Sequence, residues 1–288
     1  MVIASNEKCY LCGCDSKHRR PGKVRDAENL EIFECDGCGL VFLSRAHLSE
    51  GFYEQSGMHG SDPQPVDSWL RDTERDDERR YQYLKETLTN RELLDFGCGV
   101  GGFLIKAKSV AKRVTGVELE ERLQSHFRTN DLKVYNGIGE LPLDQHFSLI
   151  TAFHVIEHLE DPAQVLRLLA TKLQKNGKII IEIPSSADAL LTLYESAAFS
   201  EFTYWSCHLY LFNSDNIRLL AKKAGLKLDY VRNIQRYPLS NHLHWLAKGL
   251  PGGHQVWNFL DSGELCRSYE DSLARLGKTD TLIAGMSL

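Results

Sequence analysis

The sequence predicts an α/β protein with a seven-stranded, doubly wound sheet, a small cysteine-rich N-terminal domain and a helical insertion between the last two strands. From about residue 92 to residue 233, short apolar runs alternate with helix-like stretches, which is the pattern of parallel strands joined by crossover helices. A glycine-rich turn directly follows the first of these strands, and two CxxC pairs lie near the N-terminus. These three observations define the predicted fold class.

The composition is that of an ordinary globular protein. A chain of 288 residues with 42% hydrophobic and 25% charged residues suits one large domain with one or two small appendages. The apolar runs are too short to cross a bilayer, and the N-terminus lacks the apolar core of a secretory signal. The net charge of −5 disfavours nucleic acid, because phosphate binding needs a basic surface. We expect a soluble, cytoplasmic protein without membrane contact.

Seven strands are predicted from the apolar runs. Five buried parallel strands come first, followed by a sixth and a seventh; in chain order they are 92–96, 113–118, 132–135, 147–153, 178–183, 226–234 and 280–288. Helices are predicted near 101–109, 120–130 and 161–174, with further helix over 240–278. If the seventh strand pairs antiparallel with the sixth, the 240–278 segment is an insertion or lid beside the sheet.

Three regions follow from these elements. Residues 1–50 form an N-terminal knob, 51–89 a linker and helix, and 90–288 the main domain. The linker is indicated by Gly, Ser, Asp and two prolines over 51–70. Residues 71–89, dense in Arg, Asp and Glu, predict a solvated helix with one apolar edge.

The N-terminal knob is predicted to bind zinc. Cys9 and Cys12 form one CxxC pair, and Cys35 and Cys38 form a second pair after 22 intervening residues. Two such pairs present four thiolates that close a tetrahedron around a zinc ion. Four protein ligands leave no open coordination position, so we expect a structural zinc rather than a catalytic one.

The glycine-rich turn is predicted to bind a cofactor that contains a nucleoside. Gly97, Gly99 and Gly101 follow the strand at 92–96, and glycine allows a backbone to turn sharply and approach a ligand closely. Glu118 ends the next strand, where its carboxylate can accept hydrogen bonds from both ribose hydroxyls. Asp95, just before the turn, suits a ligand that carries an ammonium group and a sulfonium charge.

The glycine spacing also leaves a nicotinamide cofactor open. Gly97, Gly99 and Gly102 satisfy the dinucleotide pattern G-x-G-x-x-G. Asp95 argues against a nicotinamide cofactor, because its negative carboxylate would repel the negative pyrophosphate of such a cofactor.

Taken in order, the motifs resemble the class I S-adenosylmethionine-dependent methyltransferases over about residues 80–235. Those that carry the resemblance are Leu94-Asp-Phe-Gly-Cys-Gly-Val-Gly101, Val117-Glu118, Glu140-Leu-Pro142 with Phe147-Ser-Leu-Ile150, His154-Val-Ile-Glu-His-Leu-Glu-Asp-Pro162 and Gly177-Lys-Ile-Ile-Ile-Glu-Ile-Pro184. The resemblance implies a Rossmann-like fold with S-adenosylmethionine as cofactor. It implies that the glycine turn holds the amino acid part, that Glu118 holds the ribose, and that Gly137 and Ile138 line the adenine.

Candidate catalytic histidines lie after the fourth and fifth strands. Phe153 and His154 stand at the carboxyl end of the fourth strand, where this fold binds ligands, so both are predicted in the cofactor pocket. His158 follows, and Glu157 and His158 occur in many members of the family that the chain resembles. A hydrogen-bond network at a helix start is the alternative role for this pair.

The stretch 204–212 supplies a further candidate, His208. It resembles a segment of deoxysugar C-methyltransferases, which share an N-terminal zinc domain of this cysteine pattern and carry a Tyr-x-Glu-His motif implicated in catalysis. Here His208 is kept, but Trp205 and Cys207 replace the tyrosine and the glutamate. We therefore predict His208 as the general base of an O-methyltransferase, with a core histidine as the alternative.

The predicted function is methylation of a small polyhydroxylated acceptor, such as a nucleotide-linked sugar in polysaccharide or natural-product biosynthesis. The polar and aromatic stretch 235–245 suits such an acceptor. His242 and His244 lie two residues apart, so they point to different faces of a helix. The alternatives are a ribosomal RNA base methyltransferase whose knob grips RNA, and a sugar C-methyltransferase.

Overall fold

The computed structural model describes residues 8–44 and 64–288. The predicted linker therefore lies largely outside the described residues, as do the first residues of the N-terminal knob. Within the described part of the chain, the strands form a seven-stranded sheet and a separate four-stranded sheet. No helix there is long and apolar enough to span a membrane.

The structure confirms the prediction of an α/β fold with a seven-stranded sheet. The strands are β4 (Glu92–Phe96), β5 (Arg113–Val117), β6 (Val134–Tyr135), β7 (Phe147–Phe153), β8 (Leu173–Pro184), β10 (Lys227–Ile234) and β11 (Thr281–Ser287). Their order in the sheet is β10-β11-β8-β7-β4-β5-β6. Strands β4 to β8 pair in parallel, and β11 is antiparallel to both of its neighbours.

Helices cover both faces of this sheet, as parallel strands require. Leu84, Phe103 and Phe127 of three helices pack on one face, and Leu166 and Leu220 of two others pack on the opposite face. The helices of the first face are α1 (Val66–Leu88), α2 (Gly102–Ala107) and α3 (Gln124–Thr129), and those of the second are α4 (Pro162–Thr171) and α7 (Ser214–Ala224). Two short helices, α5 (Ala189–Thr192) and α6 (Ala197–Ser200), follow β8.

The four-stranded sheet joins the N-terminal knob (described residues 8–44) to the main domain. Its order is β1-β2-β3-β9, where β1 (Lys17–Arg19), β2 (Ile32–Cys35) and β3 (Val41–Leu43) belong to the N-terminal knob, and β9 (Tyr210–Leu211) belongs to the main domain. A small core that includes Ile32 and Tyr204 lies against this sheet.

The helical segment between the last two strands is present as predicted. It contains α8 (Leu239–Lys248), α9 (Gly253–Val256) and α10 (Gly263–Leu276), and it connects the antiparallel strands β10 and β11. His242 and His244 contact different partners, as predicted: His242 Nδ1 lies 2.7 Å from the Tyr269 hydroxyl and His244 Nδ1 lies 2.8 Å from the Leu250 carbonyl oxygen.

Three predicted elements need correction. The fifth strand is longer than the apolar run, because it begins at the buried Leu173, which pairs with Phe147 ahead of the exposed residues 175–176. The helix predicted over 161–174 accordingly ends at Thr171. The charged helix is α1, and it is less solvated than predicted, since Asp77 and Arg80 are buried at its contact with the sheet.

Candidate active site

The glycine turn connects β4 to α2 at the carboxyl edge of the central sheet. Gly97 and Gly101 have φ angles of 72° and 75°, a region that disfavours side chains. A Cβ at Gly97 would also collide with the side chain of Val155, and one at Gly101 would press on Leu132. The turn is therefore closed by packing, and its conformation depends on these glycines.

Two predicted carboxylates flank the turn. Glu118 accepts hydrogen bonds from the backbone N–H groups of Gly99, at 2.8 Å, and Glu120, at 3.0 Å. Asp95 accepts a hydrogen bond from the Thr151 hydroxyl at 2.6 Å. Burial raises the pKa of Asp95 to about 7 and also raises the pKa of Glu118. Both carboxylates thus lie at the turn in surroundings that disfavour their negative charge.

Trp69 of α1 covers the turn, and the sequence analysis missed it. A Cβ at Gly99 would lie 3.4 Å from the Trp69 ring, and the guanidinium of Arg122 lies 5.8 Å from the ring centroid. The many charged residues of α1 indicated a solvated helix, so a packing role for Trp69 was not predicted. The signal was a single tryptophan ahead of the charged run, since an aromatic side chain on a solvated helix needs a packing partner.

The predicted adenine-lining residues follow β6, where Gly137 borders open space and Ile138 is half-buried against the core. A Cβ at Gly137 would meet no atom within 4 Å. Ile138 begins a short 3₁₀ turn to Glu140, whose carboxylate accepts a hydrogen bond from the Asn136 N–H at 3.1 Å. A ligand at the ends of β5 and β6 therefore has room beside Gly137.

His154 has both ring nitrogens engaged. Nδ1 lies 3.1 Å from a Glu157 oxygen, and Nε2 lies 3.0 Å from an Arg236 nitrogen. Nε2 also lies 3.3 Å from a Glu182 oxygen, so the ring lies between two carboxylates and the Arg236 guanidinium. The left-handed φ of 55° at His154 marks a constrained backbone at the strand end. This arrangement suits a positioning role.

Phe153 does not line an open pocket. It is 9% exposed and packs edge-on against Phe103, with ring centroids 5.0 Å apart. The guanidinium of Arg80 lies 4.7 Å from the Phe153 ring. Phe153 therefore supports the floor of the site from the core side.

A buried charge network lies beside His154. One Glu182 oxygen accepts hydrogen bonds from Arg79 at 2.8 Å and from Arg80 at 3.0 and 2.8 Å. Burial opposes the charge, but Arg80 and Arg79 hold the pKa of Glu182 well below its usual range. Arg236 forms an ion pair with Asp76 of α1. The sequence signal was a lone glutamate within the apolar run 179–183 of β8, since a buried carboxylate needs a cationic partner.

The three predicted catalytic histidines are gathered around Glu157. His154 contacts its carboxylate directly, and His158 and His208 interact with it electrostatically. The His158 and His208 rings lie 4.7 Å apart. Burial would raise the pKa of Glu157, but His154 and His158 lower it to about 2. Desolvation, followed by the charge of His158, lowers the pKa of His208 to about 3.

His158 is oriented by the backbone of the segment that carries His208. Its Nδ1 lies 2.9 Å from the Cys207 carbonyl oxygen, and burial lowers its pKa. Glu157 Oε2 is buried with no hydrogen-bond partner among the described residues. The cluster is thus polar, largely dehydrated and incompletely satisfied, as a binding or catalytic site often is.

The four predicted zinc ligands converge in the N-terminal knob. The Sγ atoms of Cys9 and Cys38 lie 3.5 Å apart, as do those of Cys12 and Cys35, and all four lie within 4.8 Å of one another. A tetrahedron with Zn–S bonds of about 2.3 Å has S···S edges of about 3.8 Å. The cysteine arrangement therefore fits a tetrahedral zinc ion.

The two CxxC turns have the same hydrogen-bond pattern. The N–H of Gly13 donates to the Cys9 carbonyl at 2.9 Å, and that of Gly39 donates to the Cys35 carbonyl at 2.8 Å. Both glycines have positive φ angles, 73° and 67°. The two CxxC pairs therefore present their thiols from turns of the same geometry, which suits four cysteines that bind one tetrahedral ion.

These features define a class of protein. A glycine turn after the first parallel strand, a carboxylate after the second and an antiparallel last strand form a Rossmann-like domain for a nucleoside cofactor. The chain belongs to the methyltransferase domain family, whose model matches residues 69–231. The match confirms the prediction of an S-adenosylmethionine-dependent methyltransferase domain.

Relatives and solved structures agree with this family. A probable S-adenosylmethionine-dependent methyltransferase of Mycolicibacterium smegmatis is 32% identical over 109 residues, covering 36% of this chain and 42% of that protein. A ubiquinone biosynthesis O-methyltransferase of Coxiella burnetii is 27% identical over 179 residues, covering 56% and 75%. The chain thus spans less than half of the mycobacterial relative.

The fold itself is shared with a solved structure. A SAM dependent methyltransferase from Archaeoglobus fulgidus superimposes with a TM-score of 0.53 at 20% identity, covering 77% of this chain and 99% of that chain. At this identity the similarity concerns the fold alone.

The zinc ligands lead to a prediction about metal content. We expect the purified protein to hold one zinc ion per chain and Cys35→Ser to lose it. If about 2 kcal/mol of stability is lost with it, Tm falls by about 4–8 °C. Metal analysis and thermal unfolding test this, with Cys266→Ser on α10 as the control that keeps the metal. A zinc-loaded Cys35→Ser protein of unchanged Tm would contradict the assignment.

The position of Glu118 leads to a prediction about cofactor affinity. Glu118→Gln should weaken binding of S-adenosylhomocysteine about 10- to 100-fold, because a charged acceptor for the ribose hydroxyls is lost. Isothermal titration calorimetry measures the change. Glu121→Gln, at an exposed acid three residues further on, should bind normally. Equal affinity in all three proteins would exclude the ribose role.

Proposed function

We propose that the chain is an S-adenosylmethionine-dependent O-methyltransferase for a small polyhydroxylated acceptor, such as a nucleotide-linked sugar in polysaccharide or natural-product biosynthesis. The observation that carries the proposal is the cluster of His154, His158 and His208 around Glu157 at the carboxyl edge of the sheet. This cluster lies next to a glycine turn that fits the cofactor.

The cofactor half of the site consists mainly of backbone. The N–H groups of Gly97, Gly99 and Gly101 donate to Val117, Glu118 and Cys98, which fixes the shape of the turn. The turn would lie against the amino acid part of the cofactor, Glu118 would accept from the ribose, and the open space at Gly137 would take the adenine. When bound, S-adenosylmethionine would supply an activated methyl group on a sulfonium. Trp69 covers the turn on this side of the site.

His208 is the proposed general base. Its low pKa, about 3, keeps the imidazole neutral at physiological pH, so that a ring nitrogen can accept the proton of an acceptor hydroxyl as the oxygen attacks the methyl carbon. The same low pKa makes His208 a weak base. The negative charge of Glu157 favours the imidazolium, but desolvation and the charge of His158 outweigh it.

The surroundings of His208 suit a hydroxylated acceptor. Trp205 is half-buried, and its ring centroid lies 5.6 Å from that of His208. Aromatic faces with polar neighbours are suited to sugar rings, which have apolar faces and hydroxyl edges.

The N-terminal knob argues against RNA as the acceptor. Residues 8–44 contain six Lys or Arg and six Asp or Glu residues, so their net charge is zero. Several of these charges are paired with each other, as in Arg19–Glu31 at 3.4 Å and Arg20–Glu34 at 3.0 Å. A surface that grips RNA needs an excess of unpaired basic side chains.

The substrate class is tested by release of S-adenosylhomocysteine. We expect turnover with at least one member of a panel of nucleotide-linked sugars and none with unmodified ribosomal RNA. Turnover with RNA alone would replace the proposed acceptor. NMR of the methylated sugar then separates transfer to oxygen from transfer to carbon, and a new C–CH3 group would overturn O-methylation.

The role of His208 is tested by substitution and pH. His208→Ala should lower kcat about 10²- to 10⁴-fold and leave cofactor affinity unchanged, because it removes only the proton acceptor. His146→Ala, at an exposed histidine, should behave as wild type. At saturating S-adenosylmethionine, the wild-type kcat should be constant between about pH 5 and pH 8, since His208 stays neutral there. An acid limb near pH 6.5, or normal turnover by His208→Ala, would exclude this base.

A further inference from the structure

The segment that carries His208 is attached to the N-terminal knob on its upstream side. Val24 forms a parallel β-bridge with Tyr204, and the Arg25 N–H donates to the Tyr204 carbonyl at 3.0 Å. The Tyr204 ring is 1% exposed and belongs to the small core of the four-stranded sheet.

The same segment is attached to the N-terminal knob on its downstream side. Strand β9 pairs with β3 through Phe42 opposite Tyr210 and Val41 opposite Leu211. The Leu43 N–H also donates to the Leu209 carbonyl at 3.2 Å. Between these two attachments, residues 205–208 have no backbone pairing with the described residues 8–44.

Asp26 bridges this interval. Its two carboxylate oxygens accept hydrogen bonds from the Ser206 N–H at 2.9 Å and from the Ser206 hydroxyl at 2.6 Å. The neighbouring Arg25 places its guanidinium 4.6 Å from the Trp205 ring centroid. The Asp26 carboxylate thus fixes the backbone two residues before His208, without touching His208 itself.

The N-terminal knob also holds the segment that supplies His158. The Tyr10 hydroxyl donates to the Asp161 carboxylate at 2.5 Å and accepts from the Ala163 N–H at 2.9 Å. Tyr10 lies between Cys9 and Cys12, inside the first CxxC turn. The two segments whose histidines lie 4.7 Å apart are therefore fastened to one small cysteine-centred unit.

We propose that the N-terminal knob positions the proton acceptor, with Asp26 as a positioning residue for His208. This inference rests on the proposed function, because it gives the N-terminal knob a role in that reaction. An error of about 1 Å in a reacting group costs on the order of 100-fold in rate. The two hydrogen bonds from Asp26 restrain the short interval at the point where backbone pairing is missing.

The experiment compares Asp26→Ala, Asp26→Asn and a control, Glu28→Ala, which changes an exposed acid two residues away. Hydrogen exchange of the amides at 205–208 should be faster in Asp26→Ala and unchanged in Glu28→Ala. With an acceptor that the wild type methylates, kcat should fall about 10- to 100-fold in Asp26→Ala. The KM for S-adenosylmethionine and the zinc content should not change.

Asp26→Asn separates positioning from general loss of structure. Its amide oxygen can still accept from the Ser206 N–H. We therefore expect both the amide exchange rate at 205–208 and kcat to be intermediate between the values of wild type and Asp26→Ala. Unchanged exchange at 205–208, unchanged kcat, or an equal rise in exchange throughout residues 8–44 would overturn the proposal. If the wild type methylates no acceptor, the proposed function fails, and exchange at 205–208 still decides whether Asp26 restrains His208.

Discussion

The ion pairs of Glu182 with Arg79 and Arg80 are the interaction on which the site depends most. Glu182 is fully buried in β8, and an unpaired charge at such a position costs several kcal/mol. Two arginines of α1 satisfy it, so α1 must lie across the carboxyl edge of the sheet. That placement brings Trp69 over the glycine turn. It also brings Asp76 to Arg236, whose guanidinium lies 3.0 Å from His154 Nε2.

The carboxylates at this edge divide into two groups by their electrostatic surroundings. Glu157 and Glu182 have cationic or histidine partners, and their pKa values lie below the usual range. At Asp95 and Glu118 burial outweighs the favourable interactions, which include the charge of Arg80 at Asp95 and backbone N–H groups at Glu118, so the pKa values of both acids are raised. A cationic ligand would favour the ionised form of Asp95. Glu157 and Glu182 therefore hold segments of the protein together through their partners, whereas Asp95 and Glu118 lie where a positively charged cofactor is proposed to bind.

Local sequence signals predicted most of the central sheet but little of the contacts between distant segments. Strands β4 and β7 lie at the predicted residues, because an apolar run bounded by turns identifies a strand from neighbouring residues alone. The four cysteines converge because paired CxxC spacing encodes one ligand set. By contrast, Arg79 reaches Glu182 across 103 residues, and β3 pairs with the two-residue strand β9. No periodic pattern in the sequence marks either contact, so both are seen only in the folded structure.

The two halves of the site differ in how they can change. The proposed cofactor half consists of the glycine turn and of carboxylates at the ends of adjacent parallel strands, so its geometry follows from the sheet itself. The proposed acceptor half joins three separate segments: the turn after β7, the segment 204–208 and the residues that follow β10. None of these segments forms part of the sheet core. Their relative positions depend on the N-terminal knob and on Arg236, so substitutions there can alter the acceptor while the cofactor pocket keeps its shape.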